Sequence, residues 1–279
     1  MFYLNYLLKN ARFALQLLAR GEWRRVGLAL YARAYVVTHR LLFHLWAPFA
    51  RSRQPDLPAM TLTVVTDHPV AFTSPDHQVP HGTKFNNSTN RKFVWLMNRH
   101  LHRQFPQGPR CFMDLGCSGG QLVADFAALR WIAVGLEGSD YSLKHRRANW
   151  RTLAHRNLFT CDISESFRVQ RDGQDLRFHL ITSWEVLEHI QLANLETLFR
   201  NISSHLAEGG LFIASTSSTP SIVDGVELHQ TRMPNSEWRR WVASRFPELE
   251  PVDLGLKVYQ YVRFDLGEAS FLVYRKKTA

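Results

Sequence analysis

The chain has 279 residues, 45% of them apolar and 21% charged, which is enough to bury a sizeable core and excludes a disordered or fibrous class. Its three cysteines, Cys111, Cys117 and Cys161, form no CxxC pair, which argues against a disulfide framework or structural zinc. The net charge of +10 is concentrated in residues 1–53, where nine Lys and Arg residues face Glu22 alone, and this points to anionic partners.

In chain order, residues 1–55 read as a basic amphipathic helical extension. From Leu4 to Trp46 the apolar residues recur at three- and four-residue steps between arginines, which predicts two helices broken near Gly21. No charge-free stretch reaches the roughly 18–20 residues of a spanning helix, and no basic residue precedes Phe2–Leu8 as a secretory signal requires. The expected location is therefore cytoplasmic, with the arm either lying on the inner face of an anionic membrane or packed on the protein with its arginines solvated. Nucleic acid is a weaker third partner for the same charge.

Residues 56–106 form a candidate lid or substrate-side segment. Pro55 and Pro58 mark a linker, Thr61–Thr66 predicts a short strand, and Asp67–Asn90 is polar and rich in turns. His100 and His102 have poor spacing for shared ligation on a helix and read as surface residues.

Residues 107–279 alternate strand and helix signals. Cys111–Leu115, Trp131–Leu136, Leu158–Cys161, His179–Thr182 and Leu211–Ser215 read as strands. Gln121–Arg130, Tyr141–Trp150 and Leu192–Leu206 read as helices between them. That order predicts an α/β fold with a Rossmann-like, mostly parallel sheet and helices on both faces. Lys257–Phe264 and Ser270–Tyr274 are expected to close it as an antiparallel C-terminal pair.

Ligands of such sheets sit at the carboxyl ends of the strands. The first turn, Asp114-Leu115-Gly116-Cys117-Ser118-Gly119-Gly120, is neither a GxGxxG dinucleotide fingerprint nor a P-loop. Strand two ends at Glu137, 23 residues after Asp114, where a carboxylate suits two ribose hydroxyls, and strand three ends at Asp162, where an acid suits an adenine amino group. Three acidic strand tips in succession predict a nucleoside site.

These residues, with Leu206-Ala207-Glu208-Gly209-Gly210 before strand five, resemble the class I S-adenosylmethionine-dependent methyltransferases over about residues 107–216. The resemblance implies S-adenosylmethionine as cofactor. Asp114, Gly116, Ser118 and Gly120 would hold its methionine end, Glu137 the ribose and Asp162 the adenine, with Trp184 adding a cofactor contact. Ser118 departs from the common glycine. The turn-rich stretch upstream lies where this superfamily usually places a lid, so His81 or Phe85 is expected to cover the cofactor and Asn87 to touch substrate.

The fourth tip reads Ser183-Trp184-Glu185-Val186-Leu187-Glu188-His189-Ile190. Thr182 and Glu185 have capping-box spacing, which predicts a helix start lining the substrate pocket. Glu185, Glu188 and His189 also stand at i, i+3 and i+4, and with His229 they form a candidate divalent-cation set better suited to manganese, iron, cobalt or zinc than to magnesium. His229 is the candidate general base, with Glu188 and His189 beside it as catalytic candidates. ExxEH with a distant histidine resembles the ubiquinone-biosynthesis O-methyltransferases and the small-RNA 2′-O-methyltransferases. The reading is O-methylation of a small-molecule, glycan or lipid-linked hydroxyl. RNA 2′-O-methylation and a non-catalytic S-adenosylmethionine-binding scaffold are the alternatives.

Overall fold

The computed structural model describes residue 19 and residues 23–52, 57, 59–263 and 270–278. A seven-stranded sheet carries the molecule. Strands β1 (Cys111–Leu115), β2 (Ile132–Glu137), β3 (Leu158–Thr160), β4 (Phe178–Trp184) and β5 (Leu206–Ser215) run parallel in the order β3-β2-β1-β4-β5. Beyond β5, β6 (Leu249–Pro251) and β7 (Phe271–Lys276) complete the edge, with β7 antiparallel to both β5 and β6.

The central strands are buried on both faces, and their residues alternate between two cores. Cys111, Met113 and Leu115 of β1 point to one core with Ile132, Val134 and Leu136 of β2, while Phe112 and Ala133 point to the other. The first core is roofed by α4 (Leu195–His205) and α5 (Asn235–Arg245) through Leu198, Phe199, Ile202, Trp238 and Val242. The second is covered by α2 (Arg91–Gln104) and α3 (Gln121–Ala128) through Phe93, Met97, Leu122 and Phe126.

A 30-residue helix, α1 (Trp23–Ser52), lies on α2 and the 3-10 turn Val258–Gln260. The first of the two helices expected in the arm falls on residues outside the described ones. Among the described residues no helix is long and apolar enough to cross a membrane.

The structure departs from the sequence expectations in five places. Lys257–Phe264 is not a strand over its described part: the Asn90 amide takes the carbonyls of Tyr259 and Tyr261 at 3.0 and 2.8 Å, which leaves them unavailable to a ladder. The expected helix Tyr141–Trp150 breaks into Tyr141–Lys144 and Trp150–Leu153, with Arg146 and Ala148 at φ 47° and 46°. The break turns Arg147 outward to donate to the carbonyls of Lys84 and Asn86. Helix α2 and helix α5 were not foreseen. Nor was the hairpin Arg168–Arg171/Gln174–Asp175, whose first strand pairs antiparallel with Leu62–Val65. His100 and His102 lie on α2 and are half-buried rather than on the surface, and His102 Nδ1 meets Arg110 at 2.9 Å.

Arg91, at the start of α2, fixes α1 to the body. Its guanidinium contacts both oxygens of buried Asp125 on α3 at 3.3 Å, covers the Phe43 ring at 4.5 Å and donates to the Arg40 carbonyl at 3.1 Å. Truncating it leaves a buried carboxylate without its cation. Arg91→Ala is therefore expected to cost about 2–4 kcal/mol in urea unfolding, with Arg91→Lys recovering only part of the loss.

Candidate functional site

The carboxyl ends of β1, β2, β3 and β4 open into a cavity of about 550 Å³. Its walls include Asp114, Gly116, Ser118, Glu137, Asp162, Trp184, Glu185, His189 and His229. The register of the sheet explains the grouping: Asp114 pairs across with Thr182 on one side and Gly135 on the other, so three tips end at one level.

The turn after β1 is tight. Gly116 has φ 73°, and a Cβ there would come within 2.3 Å of Val186 Cγ2, so glycine is required by both conformation and space. Ser118 adopts φ 47°, the left-handed region that favours glycine, which accounts for the departure noted in the sequence. Serine is held there by its partners. Its amide donates to Glu137 Oε2 at 2.7 Å and its hydroxyl to the Asn86 carbonyl at 2.7 Å.

Glu137 also accepts from the Thr83 hydroxyl at 3.2 Å and the Ser139 amide at 3.3 Å. Burial nevertheless pushes its carboxyl above the usual range, opposed by those donors. Asp114 accepts from Thr182 Oγ1 at 2.6 Å, and burial, assisted by the charge of Glu137, raises its pKa to about 7. Asp162 spends Oδ1 on its own turn, accepting from the Ser164 amide and hydroxyl at 3.0 and 2.6 Å. Trp184 lines the cavity with its ring edge-on to Phe93 at 5.3 Å.

The stretch Ser183–Ile190 does not start a capped helix. Trp184 still belongs to β4, Glu185 turns the chain at φ 57°, and Leu187–His189 is one 3-10 turn with no side-chain cap. The capping box fails because Thr182 faces Asp114, while the Glu185 amide goes to Ser215 Oγ at 3.0 Å.

That turn brings Glu188, His189 and His229 together, with one donor atom from each lying within 4.8 Å of the others. Glu185 sits beside the set and points a carboxylate oxygen at Arg263, 4.0 Å away. Glu188 is fully buried. Its Oε1 accepts from the Ser217 amide at 3.1 Å and its Oε2 has no hydrogen-bond partner among the described residues, while burial and the neighbouring Glu185 raise its pKa to about 8.

His189 Nδ1 meets Asp76 Oδ2 at 2.6 Å. Burial opposes its charging, but the hydrogen bond and charge of Asp76, with Glu188 and Glu185, outweigh burial and raise the pKa. His229 Nδ1 donates to the Thr219 carbonyl at 2.6 Å, its amide goes to Glu227 Oε1 at 2.9 Å, and burial lowers its pKa. The two imidazole rings stand edge to face at 4.8 Å. With its Nδ1–H committed to a carbonyl, His229 keeps Nε2 as the acceptor or ligand atom of a neutral ring.

The lid residues divide. His81 lines the cavity, whereas Phe85 is exposed and does not. Asn87 does not face the cavity. Its side chain accepts from the Gln121 amide at 3.0 Å, filling the space above Gly119 and satisfying the start of α3. The segment acts on the site through Thr83, on Glu137, and through Asp76, on His189, neither of which the sequence singled out.

A family model described as a methyltransferase domain matches residues 90–252. Among solved structures, an S-adenosylmethionine-dependent methyltransferase from Clostridium acetobutylicum superposes with a TM-score of 0.50 at 14% identity, over 72% of this chain and 97% of that one. The 1,6-didemethyltoxoflavin-N1-methyltransferase of Burkholderia thailandensis has a TM-score of 0.48 at 16% identity, over 73% and 84% of the two chains. The amino pentose methyltransferase CalS10 of Micromonospora echinaspora has a TM-score of 0.46 at 15% identity, over 72% and 96%. No curated protein matches the chain.

The raised pKa of Asp114 sets a pH dependence. The folded state holds this proton more tightly than the unfolded one, so its contribution is complete below the unfolded value of 3.8 and is lost as pH rises through about 7. Asp114→Asn is expected to remove the loss. Relative to wild type, the variant should gain on the order of 2–4 kcal/mol between pH 4 and pH 8 in denaturant titrations of the ligand-free protein.

Proposed function

The chain belongs to the methyltransferase domain family and has the class I S-adenosylmethionine-dependent fold, and from that premise we propose that it methylates a hydroxyl of a small-molecule, glycan or lipid-linked acceptor. The observation that carries this reading is the convergence of Glu188, His189 and His229 at the tip of β4 and the adjoining loop, where His189 and His229 line the cavity that the cofactor would enter and Glu188 is buried beside them.

In this reading Asp114, Gly116 and Ser118 border the methionine end of the cofactor, while Gly120 does not line the cavity and serves the turn into α3 with its φ of 77°. Glu137 takes the ribose hydroxyls in place of some of its present donors, Asp162 faces the adenine, and Trp184 forms the wall between cofactor and acceptor. Methyl transfer from a sulfonium is an in-line displacement, so alignment and exclusion of water provide most of the rate. An amine acceptor needs little else. A hydroxyl must also lose its proton as the new bond forms, and that demands a base or a cation at the acceptor oxygen.

His229 is suited to accept that proton. Its Nδ1–H is committed to the Thr219 carbonyl, and its lowered pKa keeps the ring neutral at pH 7 with Nε2 free for the acceptor. His189 is oriented by Asp76, and its ring stands edge to face with that of His229.

The set also fits a divalent cation. Glu188 presents a buried Oε2, unpartnered among the described residues, beside two imidazoles whose Nδ1 atoms are held by a carboxylate and a carbonyl, the outer arrangement that metal-binding histidines use. Mixed imidazole and carboxylate donors favour manganese, iron, cobalt or zinc over magnesium. Bound there, such an ion would lower the pKa of the acceptor hydroxyl.

His229→Ala and Glu188→Gln are each expected to reduce methyl transfer by about 10²–10⁴-fold while leaving the affinity for S-adenosylmethionine near wild type by calorimetry. Glu137→Ala should do the reverse, weakening cofactor binding by at least about tenfold. The acceptor is found by offering labelled S-adenosylmethionine and cell extract to the protein, with and without chelator, and separating lipid, glycan, RNA and protein. Label in hydroxyls of the lipid or glycan fraction, reduced by chelator, is the expected result. Label confined to RNA or to amines would sink this assignment.

A further inference from the structure

Among the described residues, helix α1 has one face packed on the protein and one that is largely exposed. Phe43 and Ala47 are buried against the body, and Tyr31 and Tyr35 meet Tyr259 edge-on at 5.3 and 4.9 Å. Away from these contacts, Leu30, Val37, Leu41 and Leu45 recur at steps of seven and four, which lines them up along the helix, and each is more than half exposed. At 30 residues the helix is about 45 Å long at the usual rise, so this is an extended apolar stripe and not a scatter of single residues.

Beside the C-terminal end of the stripe, α1 and the end of α3 enclose a groove of about 370 Å³. Phe43, Ala47 and Pro48 form its apolar wall. His44, Arg51 and Arg130 bring an imidazole and two guanidinium groups to it, and among the described residues no carboxylate lines it.

We infer that this face of α1 docks on an anionic lipid bilayer. The stripe enters the boundary between headgroups and acyl chains, and Arg51 meets lipid phosphates at the groove. Charge complementarity selects this occupant. The segment 1–53 carries nine basic residues against Glu22, so a second copy of the chain would bring two strongly cationic segments together, whereas an anionic surface complements that charge. No helix among the described residues is suited to cross the bilayer, so the contact is with the surface. The inference stands independently of what the cavity methylates.

The test is co-sedimentation of the full chain with phosphatidylcholine vesicles, with or without phosphatidylglycerol. The chain should pellet with the phosphatidylglycerol vesicles and be released by salt. The variant carrying Leu41→Glu and Leu45→Glu should bind at least about tenfold more weakly, with Tm and S-adenosylmethionine affinity as in wild type. Should the paired glutamates disturb the fold, Arg51→Gln keeps the proposal testable, with an expected loss of about fivefold. Failure of the wild type to pellet, binding indifferent to phosphatidylglycerol, or equal binding by a folded variant overturns it. A wild type that is dimeric in solution and monomeric as the glutamate variant would give the stripe to a second copy, which overturns it as well.

Discussion

Carboxylates gathered at the dry edge of a parallel sheet must be matched by donors, and the arrangement around this cavity follows from how each is matched. Glu137 is the clearest case. It draws in the Ser118 amide, the Ser139 amide and the Thr83 hydroxyl, and so ties the turn after β1, its own turn and the lid to a single group. The donors offset only part of the cost of burial, since its pKa still lies above the ordinary value. Meeting Glu137 also holds Ser118 in a left-handed conformation that a non-glycine residue otherwise avoids. A ligand with hydroxyl donors would relieve both burdens, which is the physical sense in which a cavity of this kind is prepared for a nucleoside.

The sheet was legible because parallel strands buried on both faces leave continuous apolar runs, and because each acidic tip stands directly after such a run. Cys111–Leu115 and Asp114, or Ile132–Glu137 and its terminal acid, are local patterns that survive without tertiary information. Helix α2 was missed for the opposite reason. Its buried residues Phe93, Val94, Met97 and Leu101 do keep helical spacing, but Arg, Lys, Asn and His fill the remainder, and several of these are satisfied by partners far along the chain. Lys257–Phe264 looked like a strand by composition. Asn90 takes the carbonyls of Tyr259 and Tyr261, and a side chain 169 and 171 residues away cannot be inferred from an apolar run.

The candidate site was legible in its residues and not in its geometry. Spacing alone suggested that Glu185, Glu188 and His189 share a helical face. The structure replaces the helix with a strand end, a left-handed Glu185 and a single 3-10 turn, and the group that converges is Glu188, His189 and His229. The groups that orient it come from elsewhere: Asp76 is 113 residues from His189, Ser217 is 29 from Glu188, and the Thr219 carbonyl fixes His229. No periodicity links such positions. Thr182 illustrates the same point, since its cap-like spacing to Glu185 was real but its hydroxyl faces Asp114, the residue that the sheet register sets beside it.

The arm and the cavity share one piece of backbone. Asn90 caps α2 by accepting from the Lys92 amide and at the same time holds the Tyr259 and Tyr261 carbonyls, so both ends of its amide are committed. Tyr259 is the surface on which Tyr31 and Tyr35 of α1 rest, Tyr261 stacks on Phe271 at 4.2 Å, and the next two residues, Val262 and Arg263, are cavity wall. Arg263 in turn faces Glu185 at the β4 tip. Through these contacts the attitude of α1 is tied to the cavity wall. If α1 lies along a bilayer, the cavity keeps a constant height and orientation to that surface, and an acceptor hydroxyl carried on a lipid headgroup would be met in one geometry, with part of the entropy of alignment already removed.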